Sequence, residues 1–422
     1  MLKKLILENW KSFHYAELPL DPLTILIGTN ASGKSNVVEA LEFLQRIAQG
    51  ENIEAALAGD KTLTSIRGGV EWAALKPETQ FTLKSLIQGH DDLTDYFYKI
   101  TIEIKPNVQV VDEYIIRKQP QYENNSATEE TFLIKTNFDK KLSVLMTDVF
   151  NRDNQSVSVY GSDNKTSVLN FVKYIEIDDY EGNIQDKMLG DEINVVVQCL
   201  DKIFILNPIP DKMRDYSRLS DNLESDASNI AGVLAALDGE QKVEVESALS
   251  AYINDFPEGD IEKVFAEPVG RLKTDAMLYC HEEWKSGDIT EIDARTMSDG
   301  TLRLLAILTA LLTGPEGSQL VIEEIDNGFH PSRVELLVRI LREIGSKRKI
   351  DILLTTHNPA LLDALGPEIV PFVVVAHRDS ESGESKLTLL EDIENLPLLL
   401  ASGTLGRLAT KGAIEKSLSD KK

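Results

Sequence analysis

The segment that most restricts the fold of this chain is the glycine-rich stretch Gly28-Thr-Asn-Ala-Ser-Gly-Lys-Ser35, which fits the pattern G-x-x-x-x-G-K-[ST]. A short apolar run, Leu23 to Ile27, precedes it, and from Val37 onward apolar residues recur at spacings of three and four. This order of strand, tight turn and helix predicts backbone N–H groups that converge on a phosphate at the positive end of a helix. We therefore predict an α/β fold built around a phosphate-binding loop.

Each residue type in this loop has an expected task. Gly28 and Gly33 allow the tight turn, the Lys34 ammonium reaches the β- and γ-phosphates of a nucleotide, and the Ser35 hydroxyl binds Mg²⁺. An ordinary glycine-rich surface turn is the alternative, but it requires the flanking strand and helix to be coincidental. The further residues predicted to contact the nucleotide are Asn30, Ala31, Ser32 and Asn36.

A second apolar run, Leu320 to Ile322, ends in two carboxylates, Glu323 and Glu324. Paired acids at a buried strand end are costly unless a cation or a proton transfer uses them. We predict that Glu323 binds Mg²⁺ and that Glu324 orients and deprotonates the attacking water of a phosphoryl transfer. A solvated strand end is the alternative.

Two more segments carry residues suited to phosphate chemistry. Ser298 precedes the apolar run Leu304 to Leu312 and is the expected N-cap of a helix, while its hydroxyl and the Gly300 N–H also suit a γ-phosphate. His357 follows a predicted buried strand, Asp351 to Thr355, where it can hydrogen-bond a γ-phosphate or a water. Helix capping alone and a structural histidine are the respective alternatives.

Taken in order and spacing, these segments resemble the Walker A, signature, Walker B and switch-histidine elements of ABC-type ATPases, with Asp326 in the place of the D-loop. The opening Leu7-Glu-Asn-Trp-Lys-Ser-Phe13, the pair His330-Pro331 and the run Thr356-His357-Asn358-Pro359 resemble the RecF, SMC and OLD-like branch. The resemblance spans almost the whole chain.

Within that branch, the stretches Ile205 to Arg214 and Leu223 to Leu237 resemble the helical lobe of bacterial "predicted ATPases". That group contains the ATPase subunits of the PARIS and Septu anti-phage systems. The resemblance implies ATP and Mg²⁺ as cofactors and ATP hydrolysis as the activity. It also implies a second copy of the chain, whose nucleotide is contacted in trans by Ser298, Asp299 and Gly300.

The chain departs from the family pattern at two places. Glu323 replaces the usual Walker B aspartate, which lengthens the metal-binding arm by one methylene. No glutamine is a clear Q-loop residue: Gln80 is the candidate, with Gln88 as its competitor. Lys11 resembles a family position near the nucleotide, but an exposed lysine is the favoured interpretation, since lysine is seldom buried.

The predicted fold class is an α/β ABC-type P-loop head, a mixed sheet with an antiparallel β subdomain, plus a helical insertion lobe and no long coiled coil. We assign residues 1–180 to an N-terminal ATPase lobe, 181–287 to the helical lobe and 288–422 to a C-terminal ATPase lobe. The polar residues Ala409 to Lys422 are predicted to form a solvated tail.

Composition narrows the choice of partner. The 44 Lys and Arg against 69 Asp and Glu leave a net charge of −25, which opposes direct DNA binding. Two cysteines and the lack of a signal or membrane segment predict a cytoplasmic protein.

We predict an ATP-dependent dimerising switch that controls a separate effector, a nuclease, in anti-phage defence. The alternatives are a RecF-like DNA-repair ATPase that binds DNA directly and the nucleotide-binding subunit of a transporter.

Overall fold

The computed structural model describes residues 1–121, 124–139, 144–150, 156–160, 164–172, 187–255, 260–285, 287–325, 331–358, 361–363 and 366–419. The strands are, in chain order, β1 Leu2–Trp10, β2 Phe13–Pro19, β3 Leu23–Ile27, β4 Gln80–Gln88, β5 Asp95–Glu103, β6 Gln109–Gln121, β7 Asn124–Asp139, β8 Val144–Phe150, β9 Ser156–Tyr160, β10 Ile203–Leu206, β11 Ser217–Arg218, β12 Ile261–Val269, β13 Asp275–Lys285, β14 Asp288–Asp293, β15 Gln319–Ile322, β16 Asp351–Thr356, β17 Val373–Arg378 and β18 Ser385–Leu389.

The helices are, in the same order, α1 Lys34–Gln49, α2 Ile53–Ala58, α3 Val168–Val172, α4 Lys187–Asp201, α5 Pro210–Met213, α6 Ile230–Ala236, α7 Gly239–Asn254, α8 Asp299–Thr313, α9 Pro331–Arg348, α10 Leu396–Ser402, α11 Leu405–Thr410 and α12 Ala413–Ser419.

The chain divides into two compact units, each assembled from separate segments. Unit 1 consists of Met1–Asp21, Thr29–Ile203 and Val374–Thr388. Unit 2 consists of Pro22–Gly28, Phe204–Val373 and Leu389–Lys422. The assignment of residues 1–180, 181–287 and 288–422 to three lobes stays a prediction.

Unit 1 contains the predicted antiparallel β subdomain, an eight-stranded sheet in the order β2-β1-β4-β5-β6-β7-β8-β9. Helix α1 packs on this sheet through the fully buried rings of Trp10, Phe43 and Phe81. The centroids of Trp10 and Phe81 lie 4.8 Å apart, and those of Phe43 and Phe81 lie 5.8 Å apart, both edge-on. Because burying an aromatic side chain is strongly favourable, this cluster fixes α1 against the sheet.

Unit 2 contains the predicted open α/β sheet, with strands in the order β10-β15-β16-β3. Strands β15 and β16 pair in parallel, as do β16 and β3, with Leu354 beside both Ile322 and Ile25. Every residue of β15 and β16 is buried, as expected for parallel strands covered on both faces. The predicted α/β fold is confirmed by this sheet and its helices.

A second sheet of unit 2 lies in the predicted helical lobe and was missed by the sequence analysis. Within residues 181–287, which were predicted as a helical lobe, helices α6 and α7 are present. Strands β12 and β13 then pair antiparallel, and β11 and β14 each pair with β13. The burial of β12 does not alternate regularly, since Val264, Phe265 and Ala266 are all buried, so the two-residue period that marks a strand is hidden.

The predicted solvated tail is wrong as far as residue 419. Residues that follow Ala409 form the end of α11 and the whole of α12. Leu408 and Ile414 are 3% and 1% exposed. Ile414 is therefore buried within the predicted tail, and a single apolar side chain gives no periodic pattern in the sequence.

The helices of the described residues are short, and the longest of them, α9, has 18 residues. This agrees with the prediction of no long coiled coil. A helix with the length and apolar character needed to span a bilayer does not occur in the described part of the chain.

Glu113 is a fully buried carboxyl in the sheet of unit 1. It accepts hydrogen bonds from the Tyr98 hydroxyl (2.8 Å), the Ser167 hydroxyl and the Val168 N–H (2.9 Å), so it caps the start of α3. Burial nevertheless raises the pKa of Glu113 from 4.5 to about 7. The carboxyl therefore binds its proton more tightly in the folded chain than in the unfolded chain.

This shift predicts a pH dependence of stability. The contribution of protonated Glu113 is fully present below about pH 4.5 and is lost as the pH rises through about 7. Relative to Glu113→Gln, which does not titrate, the wild-type free energy of unfolding should fall by about 3 kcal/mol over that window. Urea denaturation of both proteins at pH 5 and pH 8 measures this difference. An identical pH response of the two proteins would contradict the prediction.

Candidate functional site

The glycine-rich loop runs between the end of β3 at Ile27 and the start of α1 at Lys34, as predicted. Three of its residues have positive φ: Gly28 at 150°, Ala31 at 63° and Gly33 at 113°. The tip from Thr29 to Ala31 is exposed. This backbone turns sharply and aims the loop at the first turn of α1, as a phosphate-binding loop requires.

Gly33 is held at a position that excludes any side chain. A Cβ atom there would lie 2.8 Å from both Phe13 Cζ and Ser385 Oγ. The left-handed backbone at this residue is also unfavourable for other amino acids. The second glycine of the pattern is therefore required by packing as well as by conformation.

The start of α1 is suited to an anion. Its N-cap, Gly33, has no side chain to cap the N–H groups of the first turn. The Ser32 hydroxyl is buried without a hydrogen-bond partner, an arrangement that costs free energy unless a ligand supplies one. The Lys34 ammonium folds back and donates to the Thr29 carbonyl at 3.1 Å. The loop therefore fits the phosphates of a nucleotide, with Ser35 in the same helical turn.

A network of hydrogen bonds joins the start of α1, just after the loop, to the turn between β1 and β2. The Trp10 indole donates to the Asn36 carbonyl at 2.7 Å, and the Asn36 amide donates to the Ser12 hydroxyl at 2.7 Å. The Ser385 hydroxyl bonds to Ser12 Oγ at 2.8 Å, and the Ser385 N–H bonds to the Ser12 carbonyl. The side chain of Asn36, predicted to contact the nucleotide, thus serves here to fix α1 to the β1–β2 turn.

Arg378, which the sequence analysis missed, holds the tip of the loop. Its Nε donates to the Ala31 carbonyl at 2.9 Å and its Nη1 to the Gly383 carbonyl at 2.7 Å. The turn from Asp379 to Lys386 that carries Gly383 is itself closed by an ion pair between those two end residues. The stretch HRDSESGESK, a strand followed by a polar turn, predicts a hairpin but does not indicate where it lies.

The favoured interpretation of Lys11 as an exposed lysine is wrong. Its side chain is only 7% exposed and forms an ion pair with Glu39, a buried residue of α1. Its ammonium also donates to the Arg67 carbonyl at 2.9 Å. Burial lowers the pKa of Lys11, and the Glu39 carboxylate opposes that shift. The sequence feature that could have indicated a buried Lys11 was Glu39, since an acid on the buried face of an amphipathic helix needs a partner.

The two Q-loop candidates lie at opposite ends of β4 in unit 1. The Gln80 amide is exposed and donates to Glu103 Oε1 at 3.0 Å, and the Gln88 amide donates to Asp92 Oδ1 at 3.2 Å. Each contact is one that a surface glutamine commonly makes. A role of either residue at the nucleotide stays a prediction.

The parallel sheet of unit 2 brings three predicted segments to one edge. Ile27 of β3 lies beside Thr356 of β16, and Leu354 lies beside Ile322 of β15. Because parallel strands end at the same edge, the residues that follow them emerge together there. These following residues are Gly28 after β3, Glu323 and Glu324 after β15, and His357 after β16.

The acid pair is shaped by the neighbouring strands. The Glu323 N–H donates to the Leu206 carbonyl at 3.3 Å, which continues the pairing with β10. The Glu324 N–H donates to Thr355 Oγ1 at 2.8 Å, and the residue adopts a φ of 47°. An exposed glutamate in the left-handed region is an unfavourable conformation of the kind that proteins keep at functional sites.

His357 is exposed directly after the fully buried Thr356. Thr356 Oγ1 accepts the N–H of Asn358 at 3.0 Å, which closes the turn behind the histidine. His357 therefore directly follows a buried strand, as predicted, and its role at a phosphate stays a prediction. Asp326, the D-loop candidate, and His330 lie outside the described residues.

Ser298 is the N-cap of α8, as predicted. Its Oγ accepts the Thr301 N–H at 3.1 Å and shares a hydrogen bond with Thr301 Oγ1 at 2.8 Å. When Thr301 donates in this pair, the Ser298 proton remains available to a phosphate oxygen. Capping and phosphate binding are therefore compatible, with Asp299 and Gly300 in the same helical turn.

A family model with the description "AAA domain, putative AbiEii toxin, Type IV TA system" matches residues 23–105 and 149–363, more than half of the chain. The matched ranges contain the glycine-rich loop, Ser298, the acid pair and His357. No curated protein matches the chain at a significant level.

The solved structures that are similar to the chain include three heads of SMC proteins. One is a SmcHead bound to the C-winged helix domain of ScpA, with 13% identity, coverage of 92% of this chain and 96% of that chain, and a TM-score of 0.46. The second is the SMC head domain from Thermotoga maritima, with 13% identity, coverage of 92% and 98%, and a TM-score of 0.41. The third is the Smc head domain with an extended coiled coil bound to the C-terminal domain of ScpA derived from Pyrococcus furiosus, with 12% identity, coverage of 95% and 99%, and a TM-score of 0.45.

Proposed function

The chain belongs to this family of P-loop ATPases, and from that premise we propose that it hydrolyses ATP with Mg²⁺ as a homodimer that controls a separate effector protein. The observation that carries the proposal is the edge of the parallel sheet in unit 2, where the first glycine of the loop follows β3, two glutamates follow β15 and a histidine follows β16. Phosphoryl transfer relies on groups that position the phosphates and groups that orient the attacking water, and this edge carries candidates for both.

The loop residues provide the binding half of the reaction. The N–H groups from Asn30 to Asn36 and the Lys34 ammonium would contact the phosphates. The buried Ser32 hydroxyl supports this assignment, because it lacks a partner within the protein. Ser35 and Glu323 would hold Mg²⁺, which when bound supplies positive charge to the β- and γ-phosphates.

Glu324 and His357 provide the chemical half. The Glu324 carboxylate would take a proton from a water whose oxygen forms the new bond to the γ-phosphorus. The bond from that phosphorus to the β,γ-bridging oxygen breaks, so ADP and phosphate are the products. His357 would hydrogen-bond the γ-phosphate from the adjacent strand end.

The signature residues would provide the contacts that join two copies of the chain. Ser298 can donate its proton while it caps α8, and the Gly300 N–H lies in the same turn. In a homodimer these groups would bind the γ-phosphate held by the other copy, so that ATP joins the two copies and hydrolysis separates them.

We propose a nuclease as the effector and anti-phage defence as the role. A net charge of −25 favours a partner with a basic surface over bare DNA. The family description names a toxin of a toxin–antitoxin system, a setting in which two components act together. The RecF-like alternative requires a basic DNA-binding surface, which this composition does not favour.

Sedimentation velocity and phosphate release test the proposal directly. The wild-type chain should sediment as a monomer with ADP and as a dimer with Mg²⁺ and a non-hydrolysable ATP analogue, and phosphate release should stop when EDTA is added. Unchanged sedimentation together with no phosphate release would refute it. A gel shift with duplex DNA at low and high salt tests the RecF-like alternative, since tight and steeply salt-dependent binding would support direct DNA recognition.

A further inference from the structure

Arg214, the residue that follows α5, binds the start of α8 within unit 2. Its Nη2 donates to Asp299 Oδ1 at 2.6 Å and to the Met297 carbonyl at 3.1 Å. Its Nη1 also approaches the Pro210 carbonyl at 3.4 Å. One guanidinium therefore hydrogen-bonds both the carboxylate of the first residue of α8 and the backbone carbonyl just before its N-cap, Ser298.

Asp299 creates an electrostatic problem at this position. A carboxylate in the first turn stabilises α8 by itself, because it faces the positive end of the helix dipole. The same carboxylate repels any phosphate that approaches Ser298 and Gly300 on either side of it in the sequence. An anion can use this helix end only if the charge of Asp299 is compensated.

We propose that Arg214 is a positioning residue of the signature, which compensates Asp299 and fixes the turn before Ser298 so that the helix end accepts a γ-phosphate from a second copy. This inference rests on the proposed ATP-dependent homodimer. It adds to the predicted signature a residue that lies 85 positions away from Asp299 in the sequence.

The ion pair contributes little to the stability of the fold. The Arg214 and Asp299 side chains are 26% and 62% exposed, and exposed pairs of this kind add at most about 1 kcal/mol to the free energy of unfolding. Variants at either residue should therefore fold, and their effects on dimerisation report on the nucleotide site.

The test uses the Glu324→Gln chain, in which hydrolysis does not remove the dimer, and measures the ATP concentration that gives half-maximal dimer by sedimentation. Adding Arg214→Ala should raise that concentration about tenfold, the scale of one uncompensated like charge at a partly exposed site. Adding Asp299→Asn to Arg214→Ala should lower the half-maximal ATP concentration most of the way back to that of the parent, because the repelling charge is then gone. Arg214→Lys should lie between, since it keeps the charge but loses the two-acceptor geometry.

Arg295→Ala is the matched control, because it also removes one arginine from an exposed ion pair, with Asp293, close to the signature in sequence. It should leave the half-maximal ATP concentration unchanged. An Arg214→Ala chain that dimerises like its parent, or that Asp299→Asn does not rescue, overturns the inference while the homodimer stands. A Glu324→Gln parent that forms no dimer with ATP overturns the proposed function and this inference with it.

Discussion

The Glu324→Gln variant is expected to bind ATP as tightly as the wild type, to hydrolyse it at least about a hundredfold more slowly, and to accumulate as ATP-bound dimers. Glutamine keeps the size and hydrogen bonding of the side chain but cannot take a proton, and loss of a general base costs about 10²- to 10⁴-fold in rate. The backbone hydrogen bond from residue 324 to Thr355 Oγ1 is unaffected by the change. Single-turnover phosphate release and sedimentation with ATP measure the two effects.

Glu316→Gln is the matched control, because it makes the same chemical change in the exposed turn before β15. Its turnover should equal that of the wild type. If Glu324→Gln hydrolyses ATP at the wild-type rate, Glu324 is not the general base, and the strained backbone at this residue needs another explanation.

The parts of the fold that could be predicted from the sequence are those determined by residues close together in the chain. Strand β3 has the predicted bounds, because Pro22 precedes it and Gly28 ends it. Helix α8 begins at its predicted N-cap, Ser298, because a serine before an apolar helix is a local signal. The phosphate-binding loop is predictable for the same reason, since its pattern is contained in eight consecutive residues.

The parts that could not be predicted depend on partners far along the chain. Lys11 is buried because Glu39 and the Arg67 carbonyl, 28 and 56 residues away, surround its ammonium. Arg378 reaches the loop carbonyl of Ala31 across 347 residues. A single sequence states which residues are charged, but the pairing of those charges is a property of the folded chain.

Gly33→Ala is expected to weaken ATP binding at least about a hundredfold and to lower the free energy of unfolding by about 2 to 4 kcal/mol. The methyl group would lie 2.8 Å from Phe13 Cζ and Ser385 Oγ, so the loop must shift away from the turn of β1 and β2. Strain at a left-handed residue costs about 1 to 3 kcal/mol, and overpacking a buried site costs a similar amount. A shift of that size moves the N–H groups that are predicted to bind phosphate.

Gly270→Ala separates the two causes. Gly270 also has a positive φ, 76°, but an added Cβ there meets no atom within 4 Å. This control should lose stability through backbone strain alone and should bind fluorescent ATP like the wild type. If Gly33→Ala binds ATP with wild-type affinity, the loop tolerates the displacement, and its close packing against Phe13 and Ser385 then serves the fold rather than the nucleotide. If both variants lose ATP binding equally, global destabilisation accounts for the loss. The assignment of the phosphate site to this loop would then have to be tested by Lys34→Ala, because the Lys34 ammonium lies away from the packing of Gly33.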